Sequence, residues 1–478
     1  MNNTILTRRF FLGGFSAVSG AAALGGCSAL PILSAVAGAP RLKLGVLSDV
    51  HIKNPGDEDT FRKTLEFFRE RRVDGVLLAG DFADTGRIFQ AKILADTWFS
   101  VFPEGKHPDG KKCEQLFVYG NHCMTAWSWG GLKADSPEAL ADGIGVGDNP
   151  SRTWRECFHE EYAPVWIKKI NGCTIIGAHW ESWNHPGWSL KEFLEKHRAE
   201  IDPSAPLVYT QHDHPGDTVM GPWAWGNDHG RSTAVLKDYP NAVVFSGHSH
   251  YPLTDERSVW QEEFTSINTS SLKYSSLDYS LRENTLGNGW GYRGDVMKHP
   301  SKNITTGDGR QAMVVSFFAD RLEIERREFV YGGRSLGPDW IVPWPARRDP
   351  SMTFAARAAR RSAPMFAADA ELKAEILGEG GKRKVSLVVP PAESVDGCRP
   401  YEYEITATLL ADDLELVQLQ RRGMVEGFHL PAELAHKPTE FLFDLSELPL
   451  KGRYRFSVRP IECFGRKGGP IAAELDLS

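Results

Sequence analysis

Side chains that commonly bind metal ions recur in this sequence, each close after a short apolar stretch. Carboxylate, amide and imidazole groups suit hard and borderline divalent cations, and such a site requires no thiolate. Eight such groups exceed what one four-coordinate ion uses, whereas two ions that share a carboxylate account for them. The residues are Asp49, His51, Asp81, Asn121, His122, His212, His248 and His250.

The apolar stretches before these residues are typical of β-strands, and amphipathic stretches with helical spacing lie between some of them. This alternation predicts a layered α/β domain with helices packed on a sheet. Open α/β sheets bind ligands at the carboxyl ends of their strands, which is where these residues fall. The predicted strands are 42–47, 73–79, 116–119, 173–178, 207–211 and 242–245, with a late hairpin at 313–318 and 322–324, and the predicted helices are 60–72 and 87–102.

Other regions depart from this alternation. Residues 123–170 are rich in Trp, Gly and Pro and are interpreted as a large insertion, and the proline-rich segment 339–350 is interpreted as the exit from the α/β domain. From about residue 364 apolar residues alternate with period two, which predicts a small all-β sandwich. Its hairpin near the C-terminus resembles that of a fibronectin type III domain, with Tyr454 in the place of the corner tyrosine. The predicted organisation is an export signal at 1–39, an α/β domain at 40–350 and a fibronectin type III-like β-sandwich at 364–478.

The motifs at the strand ends follow a specific order. They are D-x-H from Asp49, G-D-x-x-D from Gly80, G-N-H from Gly120, a single histidine at His212 and G-H-x-H from Gly247. Each motif alone is weak, but all five in order after apolar strands form a strong signal. Across about residues 42–350 the sequence resembles the calcineurin-like metallophosphoesterases. The resemblance implies a layered α/β/β/α sandwich, followed here by the small all-β sandwich.

The resemblance also implies a role for each residue. Asp49, His51 and His250 hold one metal ion, Asn121, His212 and His248 hold the other, and Asp81 bridges the two. His122 is the general acid near the leaving group and Asp84 orients it, although Asp84 has an alternative interpretation as a turn residue. His212 is preferred to His214 as a ligand because it directly follows its strand, which leaves His214 to contact substrate. One departure from the family is Cys123, where an acidic residue is usual.

The implied activity is that of a metal-dependent phosphoric ester hydrolase acting on a phosphate monoester or diester. Two cations acidify a bridging water, the resulting hydroxide attacks phosphorus in line, and an imidazole protonates the departing oxygen. The metals are two divalent or trivalent ions, and manganese, iron and zinc all suit these ligands. Asp84 stands where the related purple acid phosphatases carry a tyrosine, so we expect no iron–tyrosinate chromophore.

Two other classes of protein fit the sequence less well. A non-catalytic surface protein that binds a phosphorylated ligand on a degenerate scaffold of this family is the alternative hypothesis, and the complete set of proposed metal ligands argues against it. A site of the metallo-β-lactamase type requires the motif H-x-H-x-D-H. Here Tyr251 and Pro252 follow His250, which excludes that motif.

The N-terminal segment predicts export across the bacterial cytoplasmic membrane. Arg8 and Arg9 precede an apolar run of small residues, as in a twin-arginine signal, so the twin-arginine export machinery is an expected partner. An ordinary secretory signal with a chance arginine pair is the alternative. The signal ends either at a lipobox before Cys27, which gives a lipoprotein anchored to the membrane, or at an A-x-A site at 35–37, which gives a periplasmic protein. Export favours a phosphorylated small molecule or an envelope polymer as substrate.

Composition adds three expectations. The 478 residues carry a net charge of −7 without a strongly basic segment, which argues against a nucleic-acid partner. The six cysteines other than Cys27 either pair in an oxidising compartment or stay as buried thiols. Tryptophans follow the predicted strands, where they either form a rim that stacks on a sugar or base or, as the favoured interpretation, pack the insertion. They are Trp127, Trp129, Trp180, Trp183, Trp188, Trp223 and Trp225.

Overall fold

The computed structural model describes residues 38–181, 188–221, 224–276, 309–394, 396–411 and 414–478. The predicted export signal with Cys27, apart from its last two residues, lies outside the described residues, as do Trp183 and Trp223. Pro40–Ser478 fold as one unit. Within the described part of the chain, no helix has the length and apolar character that crossing a membrane requires.

The motifs that carry the predicted ligands lie among alternating strands and helices in the first two thirds of the chain, and strands dominate the last third. The strands are β1 (Leu42–Leu47), β2 (Gly75–Ala79), β3 (Glu114–Val118), β4 (Val165–Ile170), β5 (Cys173–Ala178), β6 (Leu207–Thr210), β7 (Ala242–Ser246), β8 (Val259–Gln261), β9 (Thr265–Asn268), β10 (Gln311–Phe317), β11 (Arg321–Glu328), β12 (Arg334–Ser335), β13 (Trp340–Pro343), β14 (Met365–Phe366), β15 (Lys373–Leu377), β16 (Lys384–Val389), β17 (Ala392–Glu393), β18 (Pro400–Ala411), β19 (Leu414–Met424), β20 (Thr439–Asp444), β21 (Arg453–Glu462) and β22 (Ile471–Asp476). The helices are α1 (Asp59–Glu70), α2 (Ile88–Val101), α3 (Asn121–Trp129), α4 (Pro137–Asp142), α5 (Asn149–Phe158), α6 (Leu190–Lys196), α7 (Arg231–Leu236), α8 (Phe354–Arg360) and α9 (Ala432–Ala435).

Two mixed sheets form the centre of the α/β part. The first sheet has the order β12-β11-β10-β1-β2-β3, with β13 also paired to β11. Strands β1, β2 and β3 are parallel, and β10 joins them in antiparallel orientation. The second sheet has the order β4-β5-β6-β7-β9-β8, with β5, β6, β7 and β9 parallel. The parallel strands of both sheets therefore run towards the loops that carry the predicted ligands.

Alternation along the strands places one apolar face of each sheet against the other sheet and the second face against helices. Leu77 of β2 packs between the sheets with Val208 of β6, whereas its neighbour Leu78 packs on the opposite side. That side is covered by α1 and α2, through Phe68 and Trp98 among others. Helices α6 and α7 cover the outer face of the second sheet. The result is the layered α/β/β/α metallophosphoesterase fold that the sequence predicts.

The C-terminal strands form antiparallel sheets. Strands β15, β16 and β20 make a three-stranded sheet, and β19, β18, β21 and β22 make a four-stranded one. Side chains from both sheets, such as Leu387 of β16 and Phe456 of β21, share one buried core. The predicted all-β region is therefore present.

Two segments are more regular than the sequence suggests. The segment 123–170 contains most of α3, all of α4 and α5, and β4. Segment 339–350, interpreted as an exit from the domain, contains β13. This strand pairs with β11, and its Trp340 lies opposite Ile324 of β11. Because β13 pairs only with β11 among the described strands, Pro343 interrupts no second row of hydrogen bonds.

Candidate metal centre

The ends of β1 and β7 bring together the first group of predicted ligands. Nε2 of His250 lies 3.1 Å from Oδ1 of Asp49, and Nε2 of His51 lies 3.6 Å from the same oxygen. The two Nε2 atoms are 3.3 Å apart. Asp49, His51 and His250 each offer a ligand atom within 4.8 Å of those of the other two, and all three residues are buried.

A second group forms around Asp81 at the end of β2. Nε2 of His212 lies 2.9 Å from Oδ2 of Asp81, and His248 completes a buried set whose ligand atoms lie within 4.8 Å of one another. Asp81 also belongs to a third such set with His51 and His122. Asp81 therefore stands between the two groups, at the position that the resemblance assigns to a bridging carboxylate.

Glycines before the ligands allow this close approach. A Cβ atom on Gly120 would collide with the carboxylate of Asp81, and one on Gly247 would collide with that of Asp49. The ligands themselves use unusual backbone conformations. Positive φ angles of 47° to 69° occur at Asp49, His51, Asp81, His248 and His250. Such strain persists only where the surrounding structure enforces it, and it concentrates at functional sites.

Hydrogen bonds to backbone carbonyls fix which nitrogen of several histidines faces the centre. Nδ1 of His212 donates to the carbonyl of Ala79 at 2.8 Å, and Nδ1 of His250 donates to that of Tyr274 at 3.1 Å. A carbonyl can only accept, so Nδ1 carries the proton and Nε2 keeps its lone pair for a metal ion. Nδ1 of His51 lies 3.3 Å from Oδ1 of Asp84, an arrangement that orients a metal-binding histidine through a carboxylate.

His122 lies at the start of α3, next to the Asp81 group. Its backbone N–H donates to Oδ1 of Asp81 at 2.8 Å. Its Nδ1 donates to the backbone carbonyl of Asp84 at 2.8 Å, so Nε2 is the ring nitrogen left for substrate. Asp84 thus contacts His122 through its main chain, while its carboxylate contacts His51.

Charges in the cluster shift the pKa values in opposite directions. Burial on its own would lower the pKa of His51, but hydrogen bonds with Asp49 and Asp84 and the nearby negative charges raise that pKa to about 9. Burial would likewise lower the pKa of His212, which the charge of Asp81 raises to about 10. Burial would raise the pKa of Asp81, and the charge of His212 lowers it to about 2. The centre therefore favours positive charge beside the carboxylates, either as protons on Nε2 of the histidines or as bound cations that would replace those protons.

Unsatisfied buried oxygens give a direct test of whether metal ions fit. Oδ1 of Asn121 is buried and accepts no hydrogen bond from the described residues, and Oδ1 of Asp49 is buried beside the ring nitrogens of His51 and His250 with no other donor among them. Buried polar atoms normally have a partner, and a missing ion is one explanation for exceptions. These oxygens belong to the donor types that hard and borderline cations prefer. The buried aspartate and histidine groups are consistent with a dimetal centre.

Other histidines and Cys123 do not join the metal groups of the described residues. Both ring nitrogens of His214 contact serine hydroxyls, Ser246 at 2.8 Å and Ser249 at 2.6 Å, which leaves neither for substrate. Nδ1 of His179 accepts from the backbone N–H of Tyr119 at 3.0 Å. Cys123 packs in the core under the first sheet, where burial raises its pKa to about 12.

Sequence reasoning missed the residues that support the centre. Oγ of Ser48 donates to Oδ2 of Asp49 at 2.5 Å and is held by a hydrogen bond of 2.6 Å from Thr269. Tyr274 contributes a main-chain carbonyl, which no residue type reveals. Asp213 has a buried Oδ1 that lies 3.9 Å from Nε2 of His248. Its position directly after His212 is the sequence feature that could have indicated its place beside the centre.

Comparisons with known proteins identify one family model and several solved structures that this chain resembles. Residues 42–252 match the calcineurin-like phosphoesterase family. The chain resembles the solved structure of a dimetal phosphatase from Danio rerio at 12% identity, covering 64% of this chain and 99% of that one, with a TM-score of 0.34. A predicted phosphoesterase from Streptococcus pneumoniae shows 13% identity, 63% and 97% coverage and a TM-score of 0.27. GAP50, described as the anchor in the inner membrane complex of Plasmodium, shows 12% identity, 67% and 93% coverage and a TM-score of 0.36. Comparison with curated proteins gives no significant match.

Proposed function

We propose that this metallophosphoesterase, with its calcineurin-like domain at residues 42–252, is an exported enzyme that hydrolyses a phosphate monoester or diester with His122 as the leaving-group acid. One observation carries the proposal. Asp81 is shared by two groups of potential metal ligands, one fully buried with His212 and His248 and one with His51 and the half-buried His122. The carboxylate of Asp81 therefore lies next to both the predicted metal ligands and the predicted proton donor, His122.

Two metal ions, when bound, supply the Lewis acidity that neutralises phosphate charge and makes water nucleophilic at neutral pH. The chain's own residues then position the reactants. Asp49, Asp81, His51, His212, His248 and His250 would hold the two ions, with Asn121 offering its amide oxygen. Protonated His122 keeps its Nδ1 proton on the carbonyl of Asp84 and gives its Nε2 proton to the departing oxygen.

A substrate panel combined with metal analysis tests this proposal. The purified protein is loaded with manganese, iron or zinc, the metal content is measured, and hydrolysis of phosphomonoesters and phosphodiesters is compared. We expect about two ions per chain and turnover of at least one ester class. Stoichiometric binding of a phosphorylated ligand without turnover under any metal would instead favour the non-catalytic alternative.

The export proposal rests on the sequence of the N-terminal segment. The twin-arginine pattern at Arg8 and Arg9 predicts transport to the periplasm, and Cys27 offers a site for a lipid anchor. Cell fractionation and mass spectrometry of the mature N-terminus test both points. An acylated Cys27 identifies the lipoprotein, cleavage after 35–37 identifies the soluble form, and an intact Met1 in the cytoplasm contradicts export.

We further propose that the C-terminal sandwich is a fibronectin type III domain. Its three-stranded and four-stranded sheets support this, as does the side chain of Tyr454. The hydroxyl of Tyr454 donates to the carbonyl of Leu450 at 2.8 Å, which is the contact expected of a corner tyrosine.

Replacement of Tyr454 by phenylalanine tests the corner. It removes the hydrogen bond to Leu450 and keeps the buried ring, so we expect the free energy of unfolding to fall by about 1 kcal/mol. Thermal denaturation measures this change, and phosphoesterase activity stays at the wild-type level. A melting temperature equal to that of the wild-type protein would argue against a stabilising corner.

A further inference from the structure

Three aromatic side chains surround the metal centre without being buried. Trp129, Trp225 and Tyr274 expose 57%, 44% and 45% of their surface. We call these three residues the aromatic rim. Packing of an insertion core, the favoured sequence interpretation for the tryptophans, does not explain Trp129 and Trp225, because a core residue would be covered. Exposed rings grouped on one site are typical of a surface that binds a ligand.

Each ring of the aromatic rim rests against a histidine of the centre. The ring of Trp225 stacks on that of His248 at 4.4 Å between centroids and an interplanar angle of 20°. Tyr274 lies 4.4 Å from His250. Trp129 meets His122 edge to face at 4.6 Å and 82°. Any phosphate held by the centre therefore has aromatic surface beside it.

The position of Trp129 relates it to the leaving group. Trp129 is the last residue of α3, whose second residue is His122, so one short helix carries both side chains. If His122 protonates the leaving oxygen, the group attached to that oxygen lies beside Trp129. Flat rings of nucleobases stack on aromatic side chains regardless of base identity.

We propose that this enzyme acts on phosphoesters whose leaving group carries a flat ring, as a nucleoside does, and that Trp129 determines this preference. The inference rests on the proposed function of the same site. Trp129 binds the ring in the ground state and the transition state alike, and it takes no part in proton transfer.

A matched pair of substrates isolates the contribution of the ring. Adenosine 5′-monophosphate and ribose 5-phosphate release an alcohol at the same carbon and differ in the base, and their methyl diesters are used if the enzyme prefers diesters. We expect kcat/KM to be roughly tenfold higher for the adenosine compound. In Trp129→Ala this advantage is lost, because kcat/KM falls much more for the adenosine compound than for the ribose compound, and Trp129→Phe restores most of it. Leu416→Ala, an exposed apolar change in β19, serves as control.

Two outcomes would overturn the proposal. Equal kcat/KM for both substrates in the wild-type enzyme would show that the ring is not bound, and an equal loss on both substrates in Trp129→Ala would make Trp129 a positioning residue for His122. Absence of all turnover would contradict the proposed function instead. Equilibrium dialysis then still decides the inference, because tighter binding of the adenosine compound must disappear in Trp129→Ala.

A second, independent observation concerns two cysteines of the C-terminal region. Sγ of Cys398 lies 3.7 Å from Sγ of Cys463, and both residues are buried. They flank the paired strands β18 and β21, where Pro400 faces Glu462. Cys398 also lines a cavity of about 200 Å³ between β17 and α9. A shift of under 2 Å brings the sulfur atoms to the disulfide length of about 2.05 Å.

We infer that Cys398 and Cys463 form a disulfide when the chain meets a disulfide oxidant. The thiolate of Cys398 attacks the oxidant and releases one thiol, and the thiolate of Cys463 then displaces the second thiol from Cys398. The two protons of the cysteines go to the two released thiols. The cavity beside Cys398 gives the oxidant an approach to the first sulfur.

Peptide mapping after exposure to oxidised glutathione tests the pair. We expect one cross-linked peptide that joins Cys398 to Cys463, its loss in Cys398→Ser and in Cys463→Ser, and its retention in Cys157→Ser, which removes another buried thiol. Full alkylation of both cysteines in the denatured, oxidised protein would contradict the inference. A bond from either residue to a different cysteine would contradict it equally.

Discussion

Asp81→Ala is expected to lose both metal ions and to lower kcat/KM by at least about a thousandfold. Among the described residues, Asp81 is the only carboxylate shared by two of the ligand groups, those of His51 and of His212. Its removal takes a negative ligand from each ion at once. Metal analysis after gel filtration and hydrolysis of the preferred substrate measure the two effects.

A second substitution separates loss of metal from loss of fold. Oδ1 of Asp81 also accepts the backbone N–H of His122, so alanine disturbs the start of α3. Asp81→Asn keeps an acceptor there and removes only the charge. We expect it to retain the wild-type circular dichroism spectrum and still bind metal poorly. Asp142→Ala, a change at a surface ion pair with Arg87, is the control that keeps both ions. Two tightly bound ions in either Asp81 variant would contradict a bridging role.

The sequence predicts the sheets and the grouping of the buried aspartates and histidines well because each depends on local chemistry. An apolar strand followed by glycine and a polar residue both ends the strand and exposes a ligand. At Gly120 and Gly247 the same glycines make room for the carboxylates of Asp81 and Asp49. Three of the five motifs, those beginning at Gly80, Gly120 and Gly247, contain such a glycine, and the five motifs in order bring their side chains to one centre.

The rest of the site depends on contacts that no local pattern encodes. Tyr274 holds His250 by a main-chain carbonyl, and every residue type offers one. The strand before it, Thr265–Asn268, has only four residues, and three of them are polar. Its period-two signal is therefore too weak to detect.

Helix α3 illustrates a different limit. It begins at Asn121, where the motif G-N-H suggests a strand end rather than a helix start. Only three of its residues are buried, so the apolar periodicity is faint. Trp129 is exposed, so it adds an apolar residue outside the buried face of the helix and blurs the periodicity further. A sequence pattern assigns such a residue to packing, whereas the structure places its ring against that of His122.

His122→Ala is expected to keep both metal ions and to slow turnover by about a hundred- to ten-thousandfold for an alkyl phosphoester. An alkoxide is a poor leaving group, and Nε2 of His122 is the nitrogen available to protonate it once Nδ1 is bound to the carbonyl of Asp84. For a p-nitrophenyl ester the loss should be about tenfold or less, because that phenolate departs without a proton. The measurement is kcat for a series of esters that differ in the pKa of the leaving alcohol.

The slope of that series distinguishes acid catalysis from a role in binding. In the wild-type enzyme, protonation by His122 makes kcat nearly independent of the leaving group, whereas in His122→Ala kcat should fall steeply as the pKa of the alcohol rises. If His122 served only as a metal ligand or in packing, its loss would lower kcat by the same factor for every substrate and leave the slope unchanged. His122→Gln, which keeps a polar side chain of similar length without a titrating nitrogen, should follow the alanine variant. A parallel loss on all esters, or loss of an ion, would show that His122 serves the metal centre rather than the leaving group.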